Sequence, residues 1–319
     1  MSSSRRVVAP LPGYVGLRLS RTSAKHNLQK ADPQFRTVEA YVRRFKPDMA
    51  LPLLDLTIEA EALGASVNFK EKGAPNVVRP IVKSRTDLEK IDDCVVEKIG
   101  RMPVFIKVAR FMAESLPMDV KVGSFVTGPF TLAGQLMGTT NLFMATNRKH
   151  ELVKDTVRLS SQVIEKYIKS LSSTHIDFLI LAEPTGGLVP EEVFSDFIKP
   201  FLTRLIQDAR IPVIIHSCGR VSHLLGGFVG TGALGMSVGN SVDIYDAALK
   251  WKKIIWVGNY PPINLLTQTR NEIATNVKAI LKKFDGIRNF VLSTGCDIPY
   301  STPMENIETF IRQGKRQHF

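Results

Sequence analysis

Short β-branched runs that end in polar or small residues alternate along this chain with longer segments of helical periodicity, a βα repeat that is clearest from residue 120 onward. The runs predict strands over Val122–Thr127, Asp177–Glu183, Ile211–His216, Leu234–Val238, Ile254–Gly258 and Phe290–Thr294, with two more near Val8–Leu17 and Met49–Asp55. The helices between them carry start signals. Thr302-Pro303-Met304-Glu305 predicts a helix capped by Thr302, with Pro303 in the first turn and Glu305 completing a capping box, and Pro190-Glu191-Glu192 opens another. Eight strands, each followed by a helix or a helical insertion, predict a (β/α)₈ barrel rather than a doubly wound sheet.

No Gly-, Ser- or Pro-rich linker divides the chain, so residues 1–319 are expected to form a single barrel domain. The polar leader Met1–Lys30 and the stretch Asn68–Arg85, with Gly73, Pro75 and Pro80, are expected to be irregular decoration.

Composition narrows the function. Lys and Arg number 42 against 30 Asp and Glu, for a net charge of +12, yet the cations are scattered, which argues against a nucleic-acid arm. A basic enzyme can instead attract an anionic substrate or an acidic partner. Three cysteines and no cationic start followed by an apolar stretch suggest a reducing, cytoplasmic setting without disulfides. Apolar runs such as Phe178–Ala182 fall far short of the ~18 residues that span a bilayer, so no membrane role is expected.

In a barrel the chemistry lies at the strand C-termini. Those positions here are Asp55, Thr127, Glu183, His216 with Cys218, Ser237 to Asn240, Asn259, and Cys296 with Asp297. His216-Ser-Cys218 sets an imidazole and a thiol on one side of the chain as a strand leaves the barrel, and Cys296 ends the last strand. One His and two Cys suit zinc, and three protein ligands leave a tetrahedral position open, as in catalytic sites. Two thiolates offset the charge of the dication, so a substrate thiol bound there can lose its proton and stay electron-rich. Equally, a cysteine is often only a small buried hydrophobe. Cys94, in a helical segment, is read that way.

Asp55 and Glu183 are either a general acid/base pair, ligand-holding groups or helix caps. Glu59 and Glu61 either supply a fourth zinc ligand or face solvent. Gly230-Thr-Gly-Ala-Leu-Gly235 matches a dinucleotide fingerprint but precedes its strand, so it is read as a tight helix-to-strand turn. His223 is read as a surface histidine or one that supports the ligands from behind.

Several segments together resemble the uroporphyrinogen decarboxylase superfamily and, within it, the branch of zinc-dependent corrinoid methyltransferases that includes the methylcobamide:coenzyme M enzymes. They are Asp55-Leu-Thr-Ile-Glu-Ala-Glu-Ala-Leu-Gly64, His216-Ser-Cys-Gly219, Gly258-Asn-Tyr-Pro-Pro262, Gly295-Cys-Asp-Ile-Pro299 and Thr302-Pro-Met-Glu-Asn306, in family order. The resemblance implies a (β/α)₈ barrel, a zinc site on His216, Cys218 and Cys296, and a methyl donor carried as a methylated corrinoid on a separate carrier protein. The acceptor it implies is a small anionic thiol such as coenzyme M. Asp55, Glu183 and Asn259 would orient substrate or tune the metal. The decarboxylases' Arg-Gln-Ala-Gly-Arg-Tyr signature is missing, and no Asp-x-His-x-x-Gly corrinoid motif occurs in this chain. Asp55 matches the decarboxylases' essential aspartate, so a metal-independent decarboxylase remains the second reading and a non-catalytic corrinoid- or thiol-binding protein the third. Ala182-Glu183-Pro184 and Tyr260-Pro261 depart from the family pattern, where Asp-Pro and an acidic residue before proline are common.

Overall fold

The structure is a computed structural model and describes residues 5–91, 95, 98–148 and 150–316. Cys94 lies outside the described residues. Seven parallel strands form one sheet in chain order: β1 (Met49–Ala50), β2 (Lys121–Thr127), β3 (Phe178–Ala182), β4 (Val213–Ser217), β5 (Gly235–Val238), β6 (Ile255–Tyr260) and β7 (Phe290–Thr294). Helices cover its outer face, the longest being His150–Ser172 between β2 and β3.

The eighth position is filled differently from expectation. Instead of a strand over Val8–Leu17, the single residue Val8 bridges in parallel to Leu292 of β7. Leu292 N–H donates to Val7 O at 3.0 Å and Ala9 N–H to Leu292 O at 2.9 Å. On the other side, Asp48 N–H donates to Val8 O at 2.9 Å while its carboxylate accepts from Val8 N–H at 2.7 Å. The segment therefore ties β7 to the start of β1 and closes the barrel, with the chain turning into a helix at Leu17–Ser20. The reading of the N-terminal leader as decoration is thus corrected for its described part. Closure needs a backbone edge, which a polar sequence can supply as well as an apolar one.

Period-two alternation sorts the side chains. Ala9, Leu11, Leu51, Phe125, Phe178, Ile180, Ile214, Val257 and Val291 fill the barrel, while their strand neighbours, such as Leu179, Ile215 and Leu292, pack against the helices. Gly123 leaves room for the inward Phe178 ring, which a Cβ there would meet at 2.5 Å.

Arg6 anchors the closing segment. It is 1% exposed and donates to the carbonyls of Ile287 at 2.7 Å, Phe284 at 2.8 Å and Phe290 at 3.1 Å, and burial lowers its pKa to about 10. Arg6→Ala would strand these acceptors, and we expect it to cost about 2–3 kcal/mol in chemical denaturation. An unchanged midpoint would show that the closing segment is not held by this side chain.

Two local expectations are adjusted. Pro190 does open the helix Glu191–Phe197. The capping box at Thr302 does not form: the helix is Met304–Gly314, its N-cap is Pro303, and the Thr302 hydroxyl is buried without a hydrogen-bond partner. A cap that falls on proline leaves Thr302 one residue too early to reach the first free N–H groups. No helix among the described residues is long and apolar enough to cross a membrane.

Candidate metal centre

His216 continues the inward series of β4, since Ile214 fills the barrel and Ile215 the outer layer, so the imidazole stands at the barrel mouth and is 6% exposed. Cys218 follows two residues later, just past the strand end. Cys296 comes from the loop after β7, a strand that is not a neighbour of β4. Two glycines let these loops meet. A Cβ on Gly239, after β5, would lie 3.2 Å from Gly219 N, and one on Gly295 would lie 2.9 Å from Asn240 N. The Gly239–Asn240 backbone is thus sandwiched between the two cysteine loops, and any larger residue at either glycine would push them apart.

The result is a compact donor set. His216 Nε2 lies 2.8 Å from Cys218 Sγ, Cys218 Sγ lies 3.5 Å from Cys296 Sγ, and the three ligand atoms fall within 4.8 Å of one another. Two sulfurs at about 2.3 Å from a tetrahedral zinc lie about 3.8 Å apart, close to the spacing here, and one nitrogen with two sulfurs is a zinc-type set. The fit is good. Without metal, the Cys218 thiol donates to Cys296, which holds the Cys296 sulfur down at about 4 and pushes Cys218 up. Asp297, next in sequence, is raised to about 8 by burial and then by the Cys296 charge.

Register supplies the imidazole's support. Ser237 of β5 pairs with His216, and its Oγ lies 2.9 Å from His216 Nδ1. With Nε2 given to the metal side, Nδ1–H donates to Ser237, which fixes the ring. Ser237→Ala should weaken zinc binding roughly 10-fold or more, read by competition with a chromogenic chelator. Unchanged affinity would remove Ser237 from the site.

The remaining predicted residues surround this centre without joining it. Asn259, at the end of β6, donates through Nδ2 to Gly239 O at 2.9 Å and Val242 O at 2.8 Å, so it braces the loop wedged between the cysteines. Glu183 follows the inward Ala182 and so turns outward. Fully buried, it accepts from Thr131 Oγ1, from Phe130 N–H at 2.9 Å and from Gly186 N–H at 3.2 Å, capping the helix Pro129–Met137, and burial pushes it up to about 7. Asp55 is buried in an ion pair with Arg101 and accepts from Thr57 N–H at 2.8 Å and Thr57 Oγ1 at 2.7 Å. Asp55 and Glu183 therefore do not form an acid/base pair with each other.

Glu59 and Glu61 match neither reading offered for them. Glu59 is 1% exposed, accepts from Thr127 N–H at 2.7 Å and Thr127 Oγ1 at 2.8 Å, and is pushed up to about 7 by burial. Glu61 accepts from Arg101 Nε at 2.7 Å. His223 is exposed, with Nε2 3.0 Å from Val189 O. Gly232, at φ +87°, makes the tight turn that leads from the helix Leu225–Val229 into β5, as the reading against a dinucleotide site expects.

Comparison with known proteins fits this architecture. The Uroporphyrinogen decarboxylase (URO-D) family matches residues 4–317. The chain belongs to that family. Among its relatives is the methylcobamide:CoM methyltransferase MtbA of Methanosarcina acetivorans, 25% identical over 275 residues, covering 83% of this chain and 78% of that protein. Another is the uroporphyrinogen decarboxylase of Thermodesulfovibrio yellowstonii, 24% identical over 270 residues, with the same 83% and 78% coverage. A methyltransferase from Methanosarcina mazei shares the fold, with a TM-score of 0.90 at 21% identity over 98% of this chain and 94% of that one. Within a family that spans both activities, identity alone does not separate them.

Sequence reasoning missed Arg101 and gave Gly239 and Gly295 no role of their own. Arg101 opens a helix far from any strand end, and its partnership with Asp55 bridges 46 positions. Gly295 had a signal, as the residue before a strand-end cysteine, but only the packed loops show why it is glycine.

Proposed function

We propose that this protein is a methyltransferase that moves a methyl group between a corrinoid on a separate carrier protein and a small anionic thiol. His216, Cys218 and Cys296 would hold a zinc ion for it. The observation that carries this reading is the convergence of one imidazole nitrogen and two sulfurs within 4.8 Å at a barrel mouth. The relatives named as methylcobamide:CoM methyltransferases support it. The decarboxylase alternative has relatives of similar identity, but metal-free decarboxylation gives this donor set no task.

Zinc bound there would supply the positive charge that keeps an acceptor thiol ionised at neutral pH. The chain's own groups set the terms. Cys218 and Cys296, as thiolates, offset that charge, so the acceptor's sulfur keeps its electron density. Ser237 holds the imidazole in one tautomer and one orientation. Asn259 keeps the wedge loop in place, Glu183 fixes the helix beside β3, and Asp55 with Arg101 fixes the loop after β1. These four are positioning residues. The acceptor's sulfur attacks the donor's methyl carbon, and the electron pair of the breaking carbon–cobalt bond stays with the carrier's cobalt.

The test is metal analysis joined to a thiol screen. Purified protein should carry about one zinc per chain and should demethylate methylcobalamin with a small anionic thiol, followed by the cobalamin absorbance. Chelation should abolish the reaction and added zinc restore it. Protein without zinc that methylates no thiol, or that releases carbon dioxide from uroporphyrinogen, overturns the reading.

A further inference from the structure

A cleft of about 500 Å³ opens between the loop after β1, residues 74–80 with the short strand Asn76–Val77 that pairs with Val67–Asn68, the helix Pro129–Met137 and the turn after β3. Its polar lining is largely spent on the protein itself. Thr57 Oγ1 binds Asp55 and accepts from Arg101, Thr131 binds Glu183, and Gln135 Nε2 donates to Leu56 O. Arg79 is different. It is exposed, and it is the single charged residue among the described residues that line the cleft. Gln135 Oε1 is buried and unpartnered.

The turn after β3 touches both this cleft and the Cys218 loop. Thr185 lines the cleft, and two residues on, Gly187 packs so closely on the Cys218 loop that a Cβ would lie 2.4 Å from Ser217 Oγ and 3.5 Å from Cys218 O. The segment from Thr185 to Gly187 thus borders the cleft at one end and the Cys218 loop at the other. An uncompensated guanidinium in a concave, otherwise neutral pocket favours an anion, and its planar fork suits sulfonate, carboxylate or phosphate.

We infer that this cleft receives the anionic arm of the acceptor, with Arg79 as its counter-charge, so that Arg79 selects charged thiols over neutral ones. The inference rests on the methyl-transfer reading and extends it to a specificity residue. The test compares 2-mercaptoethanesulfonate with 2-mercaptoethanol, two thiols of equal reach that differ in charge, using zinc-loaded enzyme and methylcobalamin. Arg79→Gln should raise KM for the sulfonate at least about 10-fold while leaving kcat, zinc content and KM for the neutral thiol unchanged, and Arg79→Lys should recover part of the loss. Equal KM changes for both thiols, or none for the sulfonate, overturn the inference. If the wild type methylates neither thiol, the functional reading fails instead. Calorimetry with ethanesulfonate then decides the cleft alone: binding by the wild type that Arg79→Gln abolishes supports it, and no difference overturns it.

Discussion

Replacing Cys296 with serine is expected to strip zinc from the protein and to reduce methyl transfer to a thiol by about a thousandfold, while leaving the barrel folded. Structural zinc sites bind with about 10–16 kcal/mol shared among four ligands, so one lost ligand is worth about 2.5–4 kcal/mol, or roughly 10²–10³ in affinity. The sulfur also has an electrostatic role. Serine stays protonated where cysteine ionises, so the substitution leaves a net positive charge that draws electron density from the acceptor's sulfur. Both effects lower the rate. The fold should tolerate the change because Cys296 is a half-buried loop residue outside β7, and the Gly239–Asn240 backbone still packs between the two loops. Cys218→Ser should behave alike. Zinc content by mass spectrometry separates the outcomes: if Cys296→Ser keeps full zinc and full transfer, the cysteine is a packing residue and the donor set is not a metal site.

Much of this site was legible before any coordinates, because its residues obey local rules. His216 and Cys218 sit at a strand end, and alternation turns His216 inward with Ile214. The βα repeat fixed most strands to within two residues, since burial on both faces demands continuous apolar runs. Most of the failures are non-local. Val8 could not be seen as a one-residue bridge, because its burial follows from barrel closure. Glu183 is a strand-end carboxylate in sequence, but one step of alternation past the inward Ala182 turns it to the outer layer, where the free N–H groups of a helix from a neighbouring βα unit await it. The box at Thr302 failed while boxes at Ser84–Asp87 and Thr269–Glu272 formed, because in those two the capping residue directly precedes a helix free to start there. Asp55 is legible as a strand-end carboxylate, but its partner is hidden. Arg101 carries no motif, and only packing of the helix it opens brings it to the β1 loop.

That partnership leads to the largest stability effect expected. Arg101 Nη1 pairs with Asp55, Nε donates to Glu61 at 2.7 Å, Nη2 donates to Thr57 Oγ1 at 3.0 Å, and the guanidinium lies over the Phe69 ring at 4.8 Å from its centre. The side chains of Arg101 and Asp55 are 7% and 0% exposed. Arg101→Met preserves most of the volume but leaves the Asp55 carboxylate buried with only the Thr57 donors. Breaking such a pair costs about 3–5 kcal/mol, mostly through the charge left behind. Asp55→Asn removes that charge, so the double variant should be more stable than the sum of the two single losses by about 2 kcal/mol or more in urea denaturation. Strict additivity would mean that the two groups do not depend on each other. The effect on function should differ from that of Cys296→Ser. Leu54, Leu56 and Thr57 of the loop held by this pair line the cleft that carries Arg79, so Arg101→Met should raise KM for the acceptor while zinc content stays at the wild-type level. Loss of zinc from Arg101→Met would instead tie the pair to the metal centre itself, and would show that the loop after β1 shapes the ligand geometry of His216, Cys218 and Cys296 from across the barrel mouth.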